Sequence, residues 1–164
     1  MTASAQATSS PALNVGDKAP LFNLPKGGGG EVNLEGLKGK KVVLYFYPKD
    51  DTPGCTIEAQ NFRDLMKDFG DANTVIVGMS RDDVKSHEKF QQKFCLPFTL
   101  ASDEDGKTCE AYGVWIEKSM YGKKYMGIDR TTFLIDAQGK IAKIWNKVKV
   151  EGHAKEVFEA AQAL

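Results

Sequence analysis

Thiols and imidazoles are scarce in this chain: of 164 residues, three are cysteine and two are histidine. Three cysteines at irregular spacing (Cys55, Cys95 and Cys109) build neither a disulfide framework nor a zinc site. Unpaired thiols fit a reducing, intracellular compartment, so the cytoplasm is the expected location. A C-x-x-C pair is also missing, because Cys55 is followed by Thr56-Ile57-Glu58, which excludes the dithiol exchange site of a disulfide oxidoreductase. Nor is there an excess of either charge: 22 Lys and Arg balance 22 Asp and Glu. Without a net field, neither nucleic acid nor an anionic membrane is expected as a partner. The segment from Gly113 to Gly127 does set Trp115, Tyr121 and Tyr125 among lysines, but a stacking platform for single strands needs an electrostatic pull that the neutral chain lacks. It reads instead as a loop or hairpin packing its aromatics near the active site.

Other absences bound the organisation. No apolar run is long enough to span a bilayer, and residues 1–11 have no positive n-region, apolar h-region or arginine, so they do not read as a signal or transit peptide. Residues 1–12 are small and polar and read as a disordered tail. No internal repeat or second boundary appears, so residues 13–164 are expected to form one domain. The run Gly27-Gly28-Gly29-Gly30 lacks the G-K-[ST] of a phosphate loop and reads as the loose tip of an N-terminal hairpin.

What is present centres on residues 48–55, Pro-Lys-Asp-Asp-Thr-Pro-Gly-Cys. Before them, Val42-Val43-Leu44-Tyr45-Phe46-Tyr47 is a continuous β-branched and aromatic run, as expected of a strand covered on both faces. After them, Phe62, Leu65, Met66 and Phe69 form a helical stripe that Gly70 closes. Thr52 suits the N-cap and Pro53 the first helical position, which puts Cys55 at the third. There the free N–H groups and the dipole of the helix favour a thiolate, the reactive form of cysteine.

Downstream, the residues from Thr74 to Ser80 read as a second buried strand, and those from Asp82 to Phe94 as a helix ended by Pro97. Its inward face carries His87, read as structural rather than as an acid or base. A short strand over Phe98–Ser102 and a short helix from Asp103 to Tyr112, holding Cys109, come next. Thr131–Ile135 and Lys140–Trp145 read as strands around a turn at Asp136–Gly139, and the residues from Gly152 to Leu164 as the last helix.

Pro48, Thr52 and Cys55 match the P-x-x-x-T-x-x-C motif of peroxiredoxins, and the segments 45–56, 120–128 and 130–136 resemble the bacterioferritin comigratory protein, or peroxiredoxin Q, subfamily. The resemblance runs from about Leu13 to the C-terminus. It implies a thioredoxin-like α/β fold with an N-terminal β-hairpin extension, which the element order also fits. It further implies that Cys55 attacks hydrogen peroxide or an organic hydroperoxide, with Arg130 beside it. Thr52 would contact the reacting oxygens, Pro48 would shield the site, and a Cys55 sulfenic acid would form. No cofactor or metal is implied.

The chain departs from the subfamily where the second thiol is concerned. Many relatives carry a resolving cysteine at the position of Gln60, and others at that of Gln91. No resolving cysteine is assigned here, with Cys95 and Cys109 as candidates. A one-cysteine cycle is expected, regenerated by thioredoxin, glutaredoxin or a small thiol, in a monomer. A non-enzymatic alternative, a redox-controlled chaperone, would show stoichiometric oxidation without turnover.

Overall fold

The computed structural model describes residues 13–164, and the tail expected over residues 1–12 lies outside the described residues. Strand β3 (Lys41–Phe46) runs through the centre, and its alternating side chains feed two different cores. Val42, Leu44 and Phe46 enter one with Val77 and Phe133, whereas Val43 and Tyr45 enter the other with Phe62 and Leu134. Since successive side chains of a strand point to opposite faces, such a sequence is stable only when both faces are covered.

Two parallel strands, β4 (Thr74–Ser80) and β5 (Thr99–Ser102), lie to one side of β3. Two antiparallel ones, β8 (Thr131–Ile135) and β9 (Ile141–Trp145), lie to the other, giving the order β5-β4-β3-β8-β9. Gly78 in β4 permits one close approach, because a Cβ there would stand 2.9 Å from the Tyr45 ring and 2.8 Å from Leu100. Four helices supply the cover over the Tyr45 face: α1 (Pro53–Asp64), α2 (Met66–Asp71), α3 (Val84–Phe94) and α5 (His153–Ala163). The opposite face is covered by the hairpin of β1 (Asn23–Pro25) and β2 (Glu31–Asn33) and by α4 (Lys107–Ala111). The N-terminal extension therefore closes a core. A second hairpin, β6 (Trp115–Met120) and β7 (Lys123–Ile128), pairs only with itself. No helix among the described residues is long and apolar enough to cross a membrane.

The arrangement is the expected thioredoxin-like α/β fold with an N-terminal hairpin, and it differs from expectation in local detail. The single helix expected after Cys55 is broken at Leu65, whose φ of −104° and ψ of 6° leave helical geometry. The break lets Phe62 stack on Tyr45 at 4.7 Å while Phe69 meets Phe158 of α5 edge-on at 5.4 Å. Asn73, with φ of 55°, makes the left-handed turn after α2 that Gly70 was expected to make. The expected helix over 103–112 shortens to α4, because the Asp103 carboxylate accepts the N–H groups of Thr108 and Cys109. The tip of the first hairpin is not loose. The Gly27 N–H donates to the Leu100 carbonyl at 3.1 Å and the Gly28 N–H to Glu88 at 3.3 Å, fastening it to β5 and α3.

Candidate active site

β3 delivers the chain to Pro48 just past its C-terminal end, and α1 follows with Thr52 as N-cap, Pro53 first and Cys55 third. The Thr52 carbonyl accepts the Thr56 N–H at 2.8 Å, closing the first turn. Its hydroxyl does not cap the helix as the sequence suggests: it donates to the Lys49 carbonyl at 2.9 Å. A hydroxyl has one hydrogen, so spending it on Lys49 leaves the Thr52 oxygen purely an acceptor towards anything else. Pro48 is exposed on the rim.

Cys55 is 2% exposed and packs among Tyr45, Ala59 and Phe62. Arg130, at the junction of β7 and β8, donates from Nη2 to the Cys55 Sγ at 3.4 Å. Its other arm, Nη1, donates to Glu58 at 2.7 Å. A Cβ at Gly54 would lie 3.3 Å from Nη2, so glycine here leaves the guanidinium its approach. The backbone on either side of Arg130 is tied down as well, with the Val148 N–H on its carbonyl at 2.9 Å and the Asp129 N–H on the Val114 carbonyl at 2.7 Å.

Glu58 escaped the sequence reading. It stands three residues after Cys55, hence on the same face of α1, and its side chain is 1% exposed. Burial pushes the Glu58 carboxyl up to about 7, and Arg130 offsets only part of that rise. Burial likewise disfavours the charge on Arg130, but there Glu58 and Cys55 outweigh it. A guanidinium keeps its proton throughout the physiological range, so within this ion pair it is Glu58 whose charge can change near neutral pH. Lys118 is a second cation of the site. Burial lowers it, Asp129 and Cys55 act to raise it, and Arg130 adds to the lowering, while its ammonium donates to the Ile128 carbonyl. A glutamate one turn past the reactive cysteine was visible in the sequence; its significance depends on Arg130, 72 residues away.

A groove of about 550 Å³ leads off from Pro48, walled by Lys49, Trp115, Lys118, Tyr125 and Met126. Trp115 and Tyr125 of the 113–127 segment thus wall a groove that reaches Pro48, whereas Tyr121, 98% exposed, stands away from it. All three cysteines are free thiols. Cys109 is wholly buried in α4, and burial together with Asp103 pushes its thiol far above the ordinary range. Cys95 is exposed, and it does not extend the helix to share a face with Gln91. It is the C-cap of α3, with φ of 53°. His87 is fully buried between Asp50 and the Ala101 carbonyl.

The model of the AhpC/TSA family matches residues 15–144. A bcp protein of Coxiella burnetii is 57% identical over 145 residues, covering 88% of this chain and 96% of the relative. Peroxiredoxin Bcp of Bacillus subtilis is 48% identical over 147 residues, 90% of this chain and 94% of its own. Among solved structures, the Xanthomonas campestris bacterioferritin comigratory protein, studied for alkyl peroxide reduction in trapped intermediate and ligand complexes, superimposes with a TM-score of 0.83. It is 45% identical over 87% of this chain and 90% of that one.

Proposed function

This chain belongs to the AhpC/TSA family of peroxiredoxins and is a thiol-dependent peroxidase, and from that premise we propose that Cys55 is its nucleophile, served by Arg130, Thr52 and Pro48. The observation that carries the assignment is the guanidinium that holds the Cys55 sulfur with one arm and a buried carboxylate with the other.

The chemistry follows from the donors and acceptors. The Cys55 thiolate attacks the hydrogen-bearing oxygen of a hydroperoxide along the O–O axis. An S–O bond forms, the O–O bond breaks, and the electron pair leaves on the distal oxygen, which takes a proton and departs as alcohol or water. Arg130 donates first to the thiolate and then to the oxygens on which charge develops, from N–H groups already fixed in place. Thr52, its own hydrogen spent on Lys49, accepts the O–H of the incoming peroxide and so selects which oxygen faces the sulfur. Pro48 limits water at the rim. Hydrogen peroxide and organic hydroperoxides are the proposed substrates, and the groove beside Pro48 gives an organic group room.

The Cys55 sulfenic acid then condenses with an external thiol, releasing water, and a second thiol reduces the mixed disulfide. Thioredoxin, glutaredoxin or a small thiol is the proposed reductant, the protein acting as a monomer in the cytoplasm. Neither remaining cysteine is well suited to resolution: Cys109 is sealed in the core with its thiol protonated, and Cys95 is held in the left-handed C-cap of α3.

Cys55→Ser is expected to abolish turnover with the fold retained, whereas serine at both 95 and 109 should leave turnover with a small thiol within twofold. Peptide mapping after one equivalent of peroxide separates the two cycles. One added oxygen at Cys55, trapped by dimedone, supports the one-cysteine cycle. Loss of two hydrogens between Cys55 and Cys95 or Cys109 overturns it.

A further inference from the structure

The loop that carries Pro48 and Thr52 turns at Asp51, a non-glycine residue with φ of 57°. Aspartate tolerates that left-handed region better than most side chains, and contacts around it hold it there. Asp50, the neighbour of Asp51, makes the contacts that do so. Its N–H donates to Asp82 at 2.8 Å; its Oδ1 accepts the Tyr47 hydroxyl at 2.5 Å; and its Oδ2 accepts the Ser86 hydroxyl at 2.8 Å and lies 2.7 Å from His87 Nδ1. On its other side, His87 Nε2 is 2.9 Å from the Ala101 carbonyl oxygen.

The protons of this cluster can be counted. A carbonyl oxygen only accepts, so His87 Nε2 carries a hydrogen. In a neutral imidazole Nδ1 is then bare, and a bare nitrogen facing a carboxylate oxygen at 2.7 Å sets lone pair against lone pair. The Tyr47 hydrogen does not relieve that clash. Its hydroxyl is 3.4 Å from Nδ1 but 2.5 Å from Asp50, and burial holds the phenol firmly protonated. A second hydrogen therefore lies between Nδ1 and Oδ2. With it, the pair as a whole is neutral, which is how a carboxylate and an imidazole come to be buried together.

The charged groups around the pair are few. Asp82 meets the backbone of Asp50, Glu88 turns away to the Gly28 N–H, and Lys93 reaches Asp51 at the surface at 2.8 Å. Asp50, Asp82 and His87 offer ligand-type atoms within 4.8 Å of one another, yet each is already engaged by a hydrogen-bond partner, so the cluster works as a brace rather than as a metal site.

We infer that Asp50 and His87 share a proton and are positioning residues for peroxide reduction, bracing the Pro48–Thr52 loop against α3 so that the Thr52 acceptor and the Pro48 rim stay over Cys55. The inference rests on the reading of Cys55, Thr52 and Pro48 given above. It gives α3, which supplies none of those groups, a hold on the reaction.

The test uses the full chain with hydrogen peroxide as the probe, the rate of Cys55 oxidation read in a single turnover by stopped-flow fluorescence, and nitrogen NMR of the His87 ring. D50A removes the shared acceptor and should slow oxidation at least tenfold while thermal unfolding stays cooperative. D50N keeps an oxygen for Tyr47 and offers an N–H to a neutral ring, so its rate should stay within threefold of the parent, and its Nδ1 should now be bare. D50A/H87L, which removes both partners, should melt at a higher temperature than D50A alone. In the parent at neutral pH, a hydrogen bridging Nδ1 and Oδ2 is expected by NMR. A bare Nδ1 in the parent, a folded D50A within twofold of the parent rate, or a D50N as slow as D50A would each overturn the inference. Because the NMR result does not depend on catalysis, it stands even if Cys55→Ser retains turnover and the site assignment fails.

Discussion

A guanidinium shared between a thiol and a buried carboxylate depends on the shape of both its arms, and this makes Arg130 sensitive to a change that preserves charge. Arg130→Lys should slow Cys55 oxidation about 100-fold, because a single ammonium cannot bridge Sγ and Glu58 from one position. Stopped-flow oxidation as fast as in the parent would remove Arg130 from the mechanism. Glu58 makes a different prediction. Its carboxyl, raised to about 7 by burial, keeps a proton in the fold from roughly pH 4.5 upward, where an unfolded chain has lost it. Between about pH 4.5 and 7 the folded state thus binds more protons, and its stability falls as pH rises through that window. Glu58→Gln should remove this contribution, so that in melts recorded from pH 4 to 8 the variant gains stability with rising pH relative to the parent, and it should also slow oxidation, since a neutral amide oxygen holds Arg130 less firmly.

Among the elements, the start of α1 separates capping from chemistry. The Thr52 hydroxyl bonds Lys49 rather than the first helical N–H groups, so Thr52→Val should cost less than the usual cap loss of about 1 kcal/mol. Its oxidation rate should nevertheless drop at least tenfold, and Thr52→Ser should recover most of it. Equal losses of folded fraction and rate would reduce Thr52 to a structural role. The end of α3 carries a second prediction. Cys95 holds a left-handed C-cap that glycine adopts without strain, so Cys95→Gly should raise stability by about 0.5–1 kcal/mol in chemical denaturation, whereas Cys95→Ser should not.

These elements also show what a sequence can and cannot carry. The buried run at 42–47 and the helix start with Thr52 before it, Pro53 first and Cys55 third are local patterns, and both were legible in the sequence. The break at Leu65 was not, because the apolar stripe of Phe62, Leu65, Met66 and Phe69 continues across it while the backbone turns to reach α5. Glu58 reads locally as one more surface charge, and the brace between Asp50 and His87 joins residues 37 apart. Their meaning lies in partners that only the fold brings near.

For the molecule as a whole, two buried groups oppose each other. His153 lies against Thr132 at 2.8 Å, and burial lowers it to about 4, with Glu156 resisting and Arg130 assisting. Between about pH 4 and 6.5 the unfolded chain binds the extra proton, so through His153 stability rises with pH. That slope runs against the one set by Glu58. Their contributions largely cancel from about pH 4.5 to 6.5, and His153→Gln should uncover a steady loss of melting temperature as pH increases through that range. A His153→Gln variant whose pH dependence matched the parent's would show that the imidazole is not held neutral.

The hairpin of β6 and β7 bonds to no strand of the central sheet, yet its side chains wall the groove that opens beside Pro48. Changes at its exposed positions therefore leave the ladder that carries β3 in place, whereas Ile128 at its base is committed to the core. Under the assignment proposed above, such surface changes would alter what the groove admits without touching the sulfur or its guanidinium.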